Sequence, residues 1–160
     1  MKPLFAALSV ALLLGTSLNA QAAEQTTPSD RSIQVYKKAD LAEWNRENAA
    51  GGQGPLLGSF AFTRHQTADQ DAFKEIGWLT LPPCASIGQH KHTGNEDVYI
   101  IVSGKGLFTD SEGKQTEVGA GDITIARPGQ SHALKNIGKK PLVFLDLIAE
   151  TAVAKAAETK

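Results

Sequence analysis

The feature that most constrains this chain is a series of short stretches, within residues 56–150, in which apolar and polar residues alternate. A period of two is typical of β-strands that bury one face, and Gly- or Pro-containing turns separate the stretches. Seven or more such strands at near-even spacing, with no internal repeat, predict one all-β barrel or sandwich. The predicted strands are 56–65, 74–82, 97–104, 106–110, 114–118, 122–126 and 141–150.

The segments on either side of this region are less regular. Residues 33–38 (IQVYKK) predict a first short strand, and residues 39–48 carry a weak helical period that Asp40 could cap. The glycines within 51–54 predict a flexible crossing, which could lie at a dimer contact. The predicted organisation is an N-terminal arm with a short helix (23–55), a single β-domain (56–150) and an Ala-rich tail with frayed helical character (151–160).

The N-terminus predicts export. Lys2 precedes an apolar run at 4–14, which is too short for a comfortable membrane span, and Ala20-Gln21-Ala22 matches an A-x-A cleavage pattern. We therefore expect residues 1–22 to be a Sec-type signal peptide and the protein to be periplasmic or secreted. Cys84 is the single cysteine, so stability depends on the core and not on an internal disulfide.

Composition excludes some classes of partner. The chain of 160 residues has a formal net charge of −1 and no block of like charges. It therefore has neither the basic stripe of a nucleic-acid-binding protein nor a patch for a membrane surface. We expect no nucleic-acid partner, and no membrane partner once the signal peptide is removed.

Three of the four histidines fall in two clusters that suggest a metal site. His90 and His92 are two residues apart, so in a strand both imidazoles project from one face. A carboxylate follows at Glu96 or Asp97, and His132 comes after the turn at Pro128-Gly129. Neutral imidazole nitrogens suit Zn, Fe, Mn, Ni or Cu.

These residues lie in two stretches that together resemble the cupin superfamily. Residues 88–104 (GQHKHTGNEDVYIIVSG) resemble its first motif, His-x-His followed by a carboxylate and a glycine, with Asp97 and Gly104 at the matching spacing. Residues 121–136 (GDITIARPGQSHALKN) resemble its second motif, with Gly121, Gly129, His132 and Asn136 in place. The resemblance implies a compact, bacterial-type, single-domain jelly-roll β-barrel that binds one divalent transition metal.

Two departures from the family pattern leave questions open. The family usually has Glu where Asp97 stands, so Asp97 is favoured by register and Glu96 by residue type. In a regular strand the two side chains point to opposite faces, and a bulge could reverse this. Arg127 replaces the first proline of the second motif, and it either is solvated or faces an anionic ligand in the substrate pocket.

The resemblance also implies small-molecule chemistry. Cupins include dioxygenases, decarboxylases and sugar isomerases, and one fold hosts many activities. A site with open metal positions favours action on a small oxygenated molecule, with oxidoreductase chemistry foremost. The alternative is a non-catalytic periplasmic binding or sensor protein, and the resemblance makes a homodimer a reasonable expectation.

The remaining candidate residues have mostly structural interpretations. Tyr99 and Ile101 share the parity of Asp97, so they are predicted to line the substrate pocket. His65 is expected in a strand and outside the ligand set, and Cys84 is expected to be a buried thiol. Asn136 is expected to act in a turn. The predicted core aromatic residues are Phe60, Phe62, Trp78, Phe108 and Phe144.

Overall fold

The structure, a computed structural model, describes residues 29–30 and 32–150. In this part of the chain, strands form one seven-stranded and one four-stranded antiparallel sheet, which confirms the all-β jelly-roll prediction. The strands are β1 (Ala42–Glu43), β2 (Arg46–Glu47), β3 (Pro55–Phe62), β4 (Phe73–Leu81), β5 (Ser86–Lys91), β6 (Asn95–Ser103), β7 (Lys105–Thr109), β8 (Gln115–Gly119), β9 (Ile123–Ala126), β10 (Ser131–Asn136) and β11 (Leu142–Glu150).

The two sheets contribute to one apolar core. The large sheet has the order β1-β3-β4-β11-β6-β9, with β2 also paired to β3, and the small sheet has the order β5-β10-β7-β8. Phe60 and Leu79 of the large sheet pack in one cluster with Ile87 and Leu134 of the small sheet. The alternating residues of each strand therefore bury one face between the sheets, as in a sandwich.

The predicted N-terminal strand and helix are both wrong. Residues 33–37 pair with no strand, and Ile33 and Val35 are exposed. In place of a helix over 39–48, the chain forms a 3₁₀ turn at Lys38–Asp40 and then the two-residue strands β1 and β2. Pairing with β3 and the packing of Trp44 on Phe60, with ring centroids 5.6 Å apart, outweigh the weak helical period.

The glycine-rich segment crosses β5 at close range. A Cβ on Gly52 would lie 2.1 Å from the Ser86 carbonyl oxygen, and one on Gly88 would lie 2.2 Å from the Ala50 carbonyl oxygen. Backbone hydrogen bonds join Gln53 and Ser86 in both directions, at 3.2 and 2.8 Å. Glycine at 52 and 88 thus allows the N-terminal segment to lie directly on the strand that carries His90.

Three side chains differ from their predicted environments. His65 lies in a 3₁₀ turn, Arg64–Gln66, because Thr63 and Gln66 form a capping box that ends the strand at Phe62. Cys84 is exposed at the turn between β4 and β5 with φ of 69°, so it is not a buried thiol. Trp78 is 43% exposed because the alternation of β4 turns it away from the core.

The other predictions about the core and the turns are confirmed. Phe60 and Phe144 are fully buried, and Phe62 is also buried. Phe108 packs against the core from a half-buried position. The Asn136 amide donates to the carbonyl oxygens of Leu81 and Lys140 at 2.8 and 2.9 Å, and its oxygen accepts from Gly138 N–H at 2.8 Å. Asn136 therefore joins the end of β10 to the end of β4 and to the turn that follows.

The predicted signal peptide and C-terminal tail lie outside the described residues. Within residues 29–30 and 32–150, no helix is long and apolar enough to cross a bilayer.

Candidate metal centre

The two sheets bring three histidines and one aspartate together. His90 on β5 is the antiparallel partner of His132 on β10, and His92 follows directly after β5. Asp97 lies on β6 of the large sheet and faces the core with Tyr99 and Ile101. The ligand atoms of His90, His92, Asp97 and His132 all lie within 4.8 Å of one another.

The carboxylate of this cluster comes from Asp97. Its Oδ2 lies 3.3 Å from His92 Nε2 and 3.3 Å from His132 Nε2, and the residue is 2% exposed. Glu96 is not part of the cluster, because β6 is regular here and turns successive side chains to opposite faces. The structure therefore selects the alternative that the register favoured.

Hydrogen bonds fix the tautomers of two imidazoles. The carbonyl oxygen of Gly88 accepts from His90 Nδ1 at 2.9 Å, and Asn95 Oδ1 accepts from His92 Nδ1 at 2.7 Å. A neutral imidazole carries one N–H, so the Nε2 atoms of both residues present lone pairs to the cluster. In metal sites, an acceptor for the N–H on the far side of the imidazole orients the histidine ligand toward the metal in this way.

His132 is held in place by aromatic rings. Tyr99 stacks on its imidazole with ring centroids 4.9 Å apart and an interplanar angle of 22°. Phe108 contacts the same imidazole edge-on at 5.8 Å, and His132 is 0% exposed. Its ring therefore has little freedom to turn away from the cluster.

The donor set fits a transition-metal ion. His132 Nε2 lies 2.9 Å from His92 Nε2 and 3.1 Å from His90 Nε2. Two donors that each lie about 2.1 Å from one ion at a right angle are about 3 Å apart. A neutral His132 imidazole has a single N–H, so it can form a hydrogen bond to only one of the lone pairs that converge on it. In addition, His132 Nδ1 is buried and has no hydrogen-bond partner. A cation among three nitrogens and one carboxylate resolves this crowding.

Electrostatics favour the metal-binding forms of Asp97 and His90. Burial tends to raise the pKa of Asp97, but its interactions with His132, His92 and Asp146 outweigh burial and hold that pKa well below the ordinary value. Burial lowers the pKa of His90, which keeps its imidazole neutral. Burial has the same tendency at His92, but its hydrogen bonds with Asp97 and Asn95 raise that pKa. A carboxylate and neutral imidazoles are the forms that ligate.

A cavity of about 350 Å³ opens onto the cluster. Tyr99 lines it, as predicted from the parity of its strand. Ile101 belongs to the apolar core instead, and Arg127 is exposed and lies away from the cavity, so the structure does not bring these two predicted pocket residues to it. The lining residues that carry a charge or a titratable group include Arg46, Arg64, Glu75, His90, Lys91, His92, Asp97, Tyr99 and Asp146.

Five acidic or basic residues that line this cavity were missed from the sequence: Arg46, Arg64, Glu75, Lys91 and Asp146. Arg64 Nε donates to the buried Glu75 Oε2 at 3.3 Å. Burial, reinforced by the charges of Asp97 and Glu75, raises the pKa of Asp146 well above its ordinary value. The available signal was Asp146 itself, an acidic residue within the apolar run LVFLDLIAE. Arg46 and Arg64 carried no comparable signal.

Comparison with known proteins settles the family. The sequence pattern of the cupin domain matches residues 77–148. An oxalate-binding protein from Thermotoga maritima is 32% identical over 114 residues, which span 71% of this chain and 92% of that protein. The chain belongs to the cupin superfamily. A crystal structure from the same organism, described as a predicted oxalate decarboxylase, has 30% identity and a TM-score of 0.66 over 73% of this cupin and 99% of that chain.

A further relative has an assigned reaction. Gentisate 1,2-dioxygenase from Ralstonia is 32% identical over 73 residues, which are 46% of this cupin and 20% of that enzyme. The similarity therefore extends over about a fifth of that enzyme's length.

Replacing Asn95 with alanine is expected to weaken metal binding while leaving the fold intact. The variant loses the acceptor that fixes His92 Nδ1, and loss of such an outer partner costs about 10–100-fold in metal affinity. Competition for Zn²⁺ with a chelator of known affinity measures the change. Asn45→Ala is the matched control, because the Asn45 amide accepts from Gly58 N–H at 3.1 Å away from the cluster. Equal affinity in Asn95→Ala and wild type would contradict the assigned role of Asn95.

Proposed function

We propose that this protein is an exported, metal-dependent cupin that binds a small oxygenated anion and acts on it by oxidoreductase-type chemistry. The observation that carries the proposal is the convergence of three imidazole nitrogens and the Asp97 carboxylate at one wall of a cavity of about 350 Å³. His90, His92, Asp97 and His132 would hold one divalent ion of Mn, Fe, Zn, Cu or Ni. When bound, such an ion supplies a Lewis acid and, if it is redox-active, a carrier of single electrons.

The protein's own residues would bind and orient the ligand in this cavity. His90, His92, Asp97 and His132 would supply four donors, which would leave one or two positions of a five- or six-coordinate ion for a ligand. Tyr99, buried with its hydroxyl 3.5 Å from His132 Nε2, holds its proton because burial raises its pKa well above the ordinary value. Its hydroxyl can therefore donate a hydrogen bond at neutral pH.

A non-catalytic binding protein is the second candidate. It is favoured by the oxalate-binding relative, which this chain matches over most of its length. In that case the same metal centre and cavity hold a small carboxylate without changing it.

Ligand recovery separates the two candidates. Metal-loaded protein is incubated in air with oxalate, with 2-oxo acids and with a dihydroxybenzoate, and the ligand is analysed by mass spectrometry before and after. A product that His90→Ala does not form supports the enzyme, whereas bound ligand recovered unchanged supports the binding protein. If loaded protein binds none of these compounds, both candidates fail.

Export is tested on the native protein. Residues 1–22 are expected to be absent from protein isolated from the periplasm or medium, and the intact mass shows this directly. Elemental analysis of the same sample identifies the metal, since protein that folds outside the cytoplasm meets a different metal supply. Full-length protein confined to the cytoplasm would contradict export.

A further inference from the structure

Arg46 places an unpaired positive charge at the cavity of the metal centre. It lines this cavity, and its Nε atom is buried without a hydrogen-bond partner. None of the ion pairs among the described residues involves Arg46, whereas Arg64, the other arginine of the cavity, is paired with Glu75. A half-buried guanidinium without an ion-pair partner is costly unless an anion meets it.

The N-terminal segment holds this guanidinium in position. Arg46 pairs with Leu56 across β2 and β3, and its guanidinium carbon lies 4.3 Å from the centre of the Trp44 ring. The Trp44 ring packs on Phe60, and the Trp44 backbone N–H donates to the Gly58 carbonyl oxygen at 3.0 Å. Because the Trp44 ring already restricts the guanidinium, ligand binding costs Arg46 less conformational entropy than it would cost an unrestrained arginine.

Arg46 lines the same cavity as His90, His92 and Asp97. Ala49 and Ala50, three and four residues further on, line the same cavity. The close crossing at Gly52 and Gly88 ties this segment to β5, so the cation and the histidines belong to one framework.

We propose that Arg46 is the residue that selects the ligand, by binding the carboxylate of a small acid whose second oxygen group reaches the metal centre. The ligand class is a short carboxylate with another oxygen function on the adjacent carbon, such as a dicarboxylate or a 2-oxo acid. A guanidinium presents paired N–H donors that match a carboxylate, and the metal ligands contribute none that could do so. This inference rests on the proposed function and adds the residue that decides its substrate class.

The test compares a charged ligand with its neutral analogue. Binding of oxalate and of oxamide to metal-loaded protein is measured by calorimetry for wild type, Arg46→Met and Arg46→Lys. Arg46→Met is expected to bind oxalate about 10–100-fold more weakly, as for loss of a charged hydrogen bond, while its metal content stays at the wild-type value. Arg46→Lys should recover part of the affinity, because it keeps the charge and loses the paired donors.

A charge-matched control and three outcomes make the test decisive. Lys114→Gln removes one positive charge from the exposed hairpin turn and is expected to bind oxalate as wild type does. Oxalate affinity unchanged in Arg46→Met overturns the inference and leaves the proposed function standing. Loss of bound metal in both Arg46→Met and Arg46→Lys also overturns it, since Arg46 would then support the fold of the site. Failure of loaded wild type to bind oxalate, oxamide or any 2-oxo acid overturns the proposed function itself.

Discussion

Replacing His132 with alanine is expected to abolish stoichiometric metal binding. His132 Nε2 lies within 3.3 Å of donor atoms on His90, His92 and Asp97, so it has the central place in the cluster. Loss of an outer-shell partner already costs about 10–100-fold in affinity, and loss of a direct ligand should exceed that. Elemental analysis after dialysis against a weak chelator measures metal per chain.

Thermal unfolding provides a second measurement of the same prediction. A metal at 100 times its Kd stabilises the folded state by about 2.7 kcal/mol, which raises the Tm of wild type by several degrees. His132→Ala should show no such shift. Because His132 is fully buried, His90→Ala at a half-buried position serves as a second variant in case the first does not fold.

The fourth histidine offers a control of the same residue type. His65 lies in the 3₁₀ turn after β3, with its ring 6.2 Å from that of Trp44, and it is not part of the cluster. His65→Ala should keep the wild-type metal content even if its Tm falls. Metal content unchanged in both His132→Ala and His90→Ala would show that the cluster is not a metal site.

Replacing Asp97 with asparagine is expected to lower metal affinity more than about 100-fold, again above the effect of an outer-shell change. The two side chains have nearly the same shape, so the fold should persist. The substitution removes the negative charge that offsets a divalent cation in this buried site and sets an amide, a poor ligand for these metals, among the imidazoles. Chelator competition with Zn²⁺ and with Mn²⁺ measures the loss.

Glu96→Gln is the matched control for this prediction. It removes one carboxylate charge from the neighbouring position on the opposite face of β6. The structure predicts wild-type metal affinity for Glu96→Gln, since Glu96 has no atom in the cluster. If Glu96→Gln lost metal and Asp97→Asn retained it, β6 would have to bind metal in a different register.

The common face of His90 and His92 and the positions of several core strands could be predicted from local sequence. The spacing of His90 and His92 places both side chains on one face of a strand, because backbone geometry alone sets the period of two. The same periodicity predicted β3, β4 and β6. The strand β10, which carries His132, was absent from the predicted series, because its sequence SHALKN has little β-branched or aromatic character.

What the sequence by itself determined is the all-β fold and which histidines can meet. The tertiary structure decided which carboxylate joins them, because only the pairing of β6 with β9 and β11 shows that its register is regular at Asp97. It also decided the charge of the cavity. Arg46 and Asp146 are about 100 residues apart in sequence, so no local pattern relates them; the packing of β2 on β3 and of β11 between β4 and β6 brings both to one wall.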